Sequence, residues 1–137
     1  NHPKSVYLKR EELCKTLAGN SCDVLTITAP APTVEDLNSR VVTMLSARVH
    51  PGETNSSWIM QGILDYLLSD SAEAAALRER FIFKVIPMLN PDGVINGHYR
   101  TSLSGCDLNR RWSNPSKERH PTIFHMKELI KKIKKVS

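Results

Sequence analysis

Two short runs of nearly unbroken apolar and β-branched residues stand out along the chain, Val41 to Val49 and Phe81 to Pro87. Runs of this length predict strands buried on both faces of a sheet, because a strand with one solvated face would alternate. Between them, Thr54 to Ser69 repeats apolar residues at Ile59, Ile63, Tyr66 and Leu67. This is helical spacing, with Thr54, Asn55 or Ser56 as cap candidates. Ala72 to Arg80 is built from strong helix formers. Strand, helices and strand predict a βαβ unit with parallel strands and a right-handed crossover. Upstream, Leu8 to Leu17 reads as a short helix stopped by Gly19-Asn20, and Val24 to Ala29 as a strand. Pro30 to Ser39, with its prolines and polar residues, reads as a surface loop. Pro121 to Val136 predicts an amphipathic helix, with Ile123, Met126, Ile130 and Ile133 along one side.

The texture changes past Leu89. Asn90-Pro91-Asp92-Gly93 is a turn by composition, and the stretch to Pro115 is rich in Gly, Ser, Asn and Arg. A loop of that length in a compact domain is usually functional. The chain has 137 residues, 40% of them hydrophobic and 24% charged, enough for one globular core. No apolar run approaches the length of a membrane span. Cys14, Cys22 and Cys106 are odd in number and lack a C-x-x-C spacing, so reduced thiols of a cytosolic protein are expected rather than a disulfide framework. The formal net charge is +5, and the five lysines from Lys127 to Lys135 carry most of the excess. That helix face is either simply solvated or a patch for nucleic acid or an acidic partner, and it has no aromatic interleaving to favour nucleic acid. A first residue that is Asn rather than Met points to processing or excision from a longer chain.

The candidate chemistry lies where the first strand ends. His50-Pro-Gly-Glu53 follows Val41 to Val49, and in an open α/β sheet the carboxyl end of a strand is where ligands bind. Imidazole and carboxylate are both zinc ligands, and the Pro-Gly turn brings residues 50 and 53 back toward one another. Glu53 also precedes a helix N-terminus, which favours the ionised carboxylate. The same spacing recurs at His125 and Glu128, where it places two polar residues on one helix face. Taken alone, His50 and Glu53 also suit an ordinary polar turn. The loop after the second strand carries Arg100, Asn109, Arg110 and Arg111, with Asp107 nearby. These arginines suit surface ion pairs or, near a metal, recognition of a carboxylate through the planar guanidinium fork.

Four segments together resemble the cytosolic carboxypeptidases, a branch of the zinc metallocarboxypeptidases. They are Ser46-Ala-Arg-Val-His-Pro-Gly-Glu-Thr-Asn-Ser-Ser-Trp58, Phe83-Lys-Val-Ile-Pro-Met-Leu-Asn-Pro-Asp-Gly-Val-Ile-Asn-Gly97, Ser104-Gly-Cys-Asp-Leu-Asn-Arg-Arg-Trp112 and His120-Pro-Thr-Ile123. Leu13 to Cys22 also resembles the segment that opens this family's catalytic domain. The resemblance implies an α/β fold, the front part of a metallocarboxypeptidase-type mixed sheet with flanking helices and mainly parallel strands at 41–49 and 81–87. It implies that residues 1–137 are a partial catalytic domain, without its C-terminal part or an upstream β-sandwich domain. It implies zinc as cofactor, His50 and Glu53 as two of three ligands, Asn109 and Arg110 as the pair that grips the substrate's terminal carboxylate, and Arg100 as the arginine that holds the oxyanion.

Cys106 and His98 stand where the family pattern has other residues. The third ligand, a His in an Asp-x-His-Gly-His segment, and the general-base Glu are expected beyond the equivalent of Ser137. The implied activity is zinc-dependent removal of C-terminal or side-chain-linked glutamates from polyglutamylated proteins such as tubulin, in the cytosol, with the 137 residues inactive alone. Two alternatives stay open. One is a non-catalytic binding or interaction module, and the other is a nucleic-acid-binding module acting through Lys127 to Lys135.

Overall fold

The structure is a computed structural model that describes residues 6–136. Four strands form one sheet in the order β1-β2-β4-β3. β1 is Tyr7–Lys15, β2 is Ser21–Thr28, β3 is Val41–Ser46 and β4 is Phe81–Ile86. The helices are α1 (Val34–Ser39), α2 (Thr54–Leu67), α3 (Ala72–Arg80), α4 (Pro91–Ile95) and α5 (Pro121–Val136). β3 and β4 are parallel, as the βαβ pattern requires, from Val41 opposite Phe81 to Ser46 opposite Ile86. The other two pairings, β1 with β2 and β2 with β4, are antiparallel. The sheet is therefore mixed, and parallel pairing is confined to the two strands that frame the site.

Each face of the sheet has its own core, because successive side chains on a strand point to opposite sides. On one face, Cys22 and Val24 of β2 and Ile86 of β4 pack against Ile123 and Met126 of α5. On the other, Ile27, Phe83 and Val85 pack against Met60 and Leu67 of α2. A fully buried side chain of this kind contributes about 1.5–3 kcal/mol. Between α2 and α3 the buried Arg78 donates through one guanidinium nitrogen to the carbonyls of Leu67 (2.7 Å) and Ser69 (3.0 Å), so the C-terminus of α2 ends on a donor rather than in apolar packing.

Four expectations are corrected. Leu8 to Leu17 is not helical: Tyr7–Lys15 is a strand, paired to β2 through a turn in which Gly19 has φ 77°. Its Glu, Lys and Leu content favours a helix locally, but the ladder to β2 outweighs a propensity of a few tenths of a kcal/mol per residue. Charged residues suit an outer strand, where they discourage further pairing. Pro30 to Ser39 is not all loop, since Thr33 caps α1 by accepting from the Asp36 N–H at 3.1 Å. The Val41 run is a strand only to Ser46, lies at the edge of the sheet, and is half-buried rather than enclosed on both faces; Val41 itself is 60% exposed. Finally, Glu53 rather than Thr54, Asn55 or Ser56 holds the N-cap position of α2, and its side chain makes no capping bond.

Candidate metal centre

The loop Ala47 to Glu53 leaves the edge strand and turns into α2, and most of its backbone is held from outside. Ala47 N donates to Ile86 O at 3.1 Å and Leu89 N to Ala47 O at 2.9 Å, extending the link between the β3 and β4 ends past the strands. Arg48 then adopts φ 56°, a left-handed conformation costing about 1–2 kcal/mol for a residue with a Cβ. Three bonds offset that cost. Arg48 N donates to Ser56 Oγ (2.7 Å), its Nε to Pro51 O (2.9 Å) and its Nη1 to Ser57 Oγ (2.6 Å). Asn90 Nδ2, at the head of α4, donates to Val49 O (3.2 Å) and Thr101 O (3.3 Å). The turn closes with Glu53 N donating to His50 O at 3.2 Å.

Two glycines allow the approach of the loops. Gly52 N donates to Tyr99 O at 2.7 Å, and a Cβ at Gly52 would lie 2.7 Å from that same oxygen. A Cβ at Gly93 would overlap Pro51 and sit 2.8 Å from Thr101 O. Thus the His-Pro-Gly-Glu turn and the Asn-Pro-Asp-Gly turn interlock, and the segment from Tyr99 to Thr101 lies against both.

The result is a line of polar contacts centred on His50, which is 8% exposed. His50 Nδ1 faces Glu53 Oε1 at 3.1 Å, and His50 Nε2 faces Asp107 Oδ1 at 3.1 Å. Asp107 is held in turn by the Asn109 N–H at 2.9 Å and by Arg100, whose Nε and Nη2 both lie 2.9 Å from Oδ2. Burial pushes the Asp107 carboxyl up, but the Asn109 amide, the His50 ring and the Arg100 guanidinium outweigh it and hold the group below the usual aspartate range. Asp107 is therefore an anion fixed behind the imidazole.

This donor set fits a zinc ion. With its proton on Nε2 toward Asp107, His50 presents the Nδ1 lone pair on the side of the Glu53 carboxylate. Two nitrogen and oxygen ligands of a tetrahedral zinc stand about 3.4 Å apart, near the 3.1 Å between Nδ1 and Oε1. A carboxylate on the far ring nitrogen is the usual support of a metal-bound histidine, fixing tautomer and ring orientation. His50 and Glu53 would be the ligands, and Asp107 would position His50. Among the described residues no group of three or more His, Cys, Asp or Glu could hold a metal ion. The other described histidines are engaged elsewhere: His98 Nδ1 lies 3.2 Å from Thr101 O, His120 Nδ1 accepts from Ser116 N, and His125 stands edge-on to Phe124. His2 lies outside the described residues.

The residues expected to meet substrate gather along the same loop. Asn109 and Arg110 lie in a single 3-10 turn, Leu108–Arg110, which Asp107 caps. Asn109 Oδ1 accepts from Trp112 Nε1 at 2.9 Å, which leaves its amide NH2 as the outward donor. Both residues are exposed. The Arg100 side chain is 44% exposed, so its guanidinium meets solvent while it braces Asp107. An exposed guanidinium and amide on one turn, on the loop that also brings Asp107 to His50, are groups able to bind a carboxylate. The sequence pointed to Asp107 only as a neighbour of this cluster, because its link to His50 spans 57 positions and leaves no local spacing signal. Arg48 and Asn90, which shape the loop, were likewise not singled out. Their signal is the left-handed φ of one and the capping position of the other, and neither shows in a pattern of apolar residues.

The family described as zinc carboxypeptidase matches residues 2–131. Cytosolic carboxypeptidase 1 of Danio rerio is 58% identical over 91% of this chain, and cytosolic carboxypeptidase 1 of Homo sapiens is 53% identical over 95%. The chain spans 11% of the length of each of those two relatives. Among solved structures, a metallo-carboxypeptidase from Burkholderia cenocepacia superposes with a TM-score of 0.85 at 30% identity, over 92% of this chain and 34% of that one. A metallo-carboxypeptidase from Pseudomonas aeruginosa, in complex with (2-guanidinoethylmercapto)succinic acid, superposes with a TM-score of 0.78 at 31% identity, over 90% of this chain and 32% of that one.

Proposed function

Because this chain belongs to the zinc carboxypeptidase family, we propose that it supplies part of the active site of a metallocarboxypeptidase acting on polyglutamylated proteins. In this reading the substrates of the whole protein are C-terminal or side-chain-linked glutamates, on tubulin among others. The setting is the cytosol, in line with the word cytosolic in the names of the relatives. One observation supports the reading most: His50 Nδ1 and Glu53 Oε1 converge while Asp107 backs the ring. Zinc held by His50 and Glu53 would supply Lewis-acid polarisation and would lower the pKa of a water beside it. The residues of this chain do the rest of what can be assigned to it. Asn109 and Arg110 bind the free carboxylate of the terminal residue and so fix which peptide bond is presented. Arg100, braced on Asp107, donates to the carbonyl oxygen as negative charge develops on it. Asp107 keeps the His50 proton on Nε2.

Measuring glutamate release by the full-length protein from a peptide ending in several glutamates tests the reading. Activity that a chelator removes, zinc restores and His50→Ala abolishes is expected. Full turnover by the His50→Ala protein would overturn it.

A second reading is favoured by the lack of a three-ligand group among the described residues. In it, the 137 residues taken alone fold and bind partners without catalysis. Comparing glutamate release by this chain and by the full-length protein separates the two. The lysine-rich α5 has less to offer a nucleic acid than its sequence suggests. Lys127 Nζ donates to Trp112 O (2.6 Å) and Ser113 O (3.0 Å), and Lys131 pairs with Glu128 (2.7 Å).

A further inference from the structure

The β1–β2 hairpin carries two thiols that the site does not use. Cys14 and Cys22 are partners in the antiparallel register, and both are free. Directly opposed residues of an antiparallel pair have Cα atoms about 4.5 or 5.5 Å apart, and both values fall within the roughly 4.4–6.8 Å that a disulfide spans. The register shifts between Glu12 and Cys14, and both Leu13 and Cys14 pack onto the core cluster that contains Cys22. The two sulfurs therefore share one face. They also differ in a way that gives the pair a direction: Cys22 is fully buried, with its thiol 3.6 Å from Met88 O, whereas Cys14 is only partly buried.

We propose that Cys14 and Cys22 are an oxidative modification site, a dithiol that a small-molecule disulfide converts to a reversible cross-strand disulfide. The more accessible Cys14 attacks first. Its thiolate bonds to one sulfur of the small disulfide and expels the other as a thiolate. The Cys22 sulfur then bonds to Cys14 Sγ and expels the second small thiolate, which takes up the Cys22 proton. Two protein thiols lose two protons and two electrons, and one small disulfide becomes two thiols. The difference in exposure favours this order, because a small disulfide in solution reaches the partly buried Cys14 before the fully buried Cys22.

The bond would close a ring around the hairpin turn, and that turn is not idle. Thr16 Oγ1, Ala18 N and Asn20 Nδ2 all donate to the buried carboxylate of Asp92. Asp92 lies in α4, two residues from Asn90, whose side chain holds Val49 O beside His50. Oxidation would thus stiffen the outer wall of the loop scaffold that carries the candidate metal centre.

The test uses the full-length native protein, equilibrated with excess oxidised glutathione, alkylated, and digested without reductant. The expected result is a Cys14–Cys22 linked peptide lighter by two hydrogens, lost on adding dithiothreitol, with Cys106 alkylated outside this pair. Hydrogen exchange should slow across residues 16–20 in the oxidised form. Cys22→Ala should trap glutathione on Cys14, and Cys14→Ala should leave Cys22 unmodified. Persistent glutathione on Cys14 with Cys22 still open to alkylation, or no linked peptide at all, would overturn the proposal. Both readouts on the wild-type protein stand whether or not either variant folds.

Discussion

Replacing Asp107 by Asn isolates what this carboxylate does, since the side chain keeps its size and one acceptor oxygen while the charge is removed. In the structure Asp107 accepts from His50, from the Asn109 amide and twice from Arg100, at 2.9 to 3.1 Å. The substituted amide oxygen can still serve His50 and Asn109, but its NH2 then faces two guanidinium donors, so the Arg100 brace is lost. Two consequences follow, and they can be read separately. The His50 ring loses a charged partner, and loss of such outer support commonly lowers metal affinity about 10- to 100-fold, or roughly 1.4–2.7 kcal/mol. Arg100 loses its anchor, which should lower kcat more than it raises KM, because a contact to a developing oxyanion is made in the transition state. Competition between the full-length protein and a chromogenic zinc chelator measures the first, and steady-state glutamate release at saturating zinc measures the second. Zinc affinity within about twofold of wild type would show that Asp107 does not orient His50 toward a metal. An unchanged kcat at saturating zinc would show that Arg100 needs no brace.

The remaining predictions concern the parts around it. His50→Ala in the full-length protein should abolish stoichiometric zinc by metal analysis, and retention of a full equivalent would exclude His50 as a ligand. Arg110→Lys keeps the charge but loses the fork, so it should weaken substrate binding by about 1.5–3 kcal/mol, seen as a raised KM or inhibitor constant; unchanged kinetics would remove Arg110 from the carboxylate site. Gly93→Ala forces a Cβ against Pro51 and the Thr101 carbonyl, neither the flexible end of a long side chain, so about 1–3 kcal/mol of stability should be lost in denaturant titration. A neutral effect there would mean that the two turns do not interlock as described.

What the sequence made legible follows from how local each signal is. The parallel β3 and β4, α2, α3 and α5 were readable because composition and periodicity act over a few residues, and the contact of His50 with Glu53 could be anticipated because both residues sit within one turn. β1 was misread for the same reason. Its nine residues, rich in Glu, Lys and Arg, carry a local helix preference, while the pairing that makes them a strand lies in β2, from Tyr7 opposite Thr28 to Lys15 opposite Ser21. The site divides along this line too. The sequence could nominate His50, Glu53, Arg100, Asn109 and Arg110 as chemical types, but it could not show that Asp107 joins them, because the contact depends on two loops folding against each other. Those loops meet where glycine leaves room: Gly52 under the Tyr99 carbonyl, and Gly93 under Pro51 and Thr101. Each glycine reads in sequence as an ordinary turn residue. In the structure the two missing side chains let the His-Pro-Gly-Glu and Asn-Pro-Asp-Gly turns close on the segment that carries Arg100, and Arg100 in turn fixes the carboxylate behind His50. The candidate metal cradle is thus a property of loop packing as much as of His50 and Glu53, so substitutions at either glycine should reduce the zinc affinity of the full-length protein in the chelator competition although neither residue is a candidate ligand.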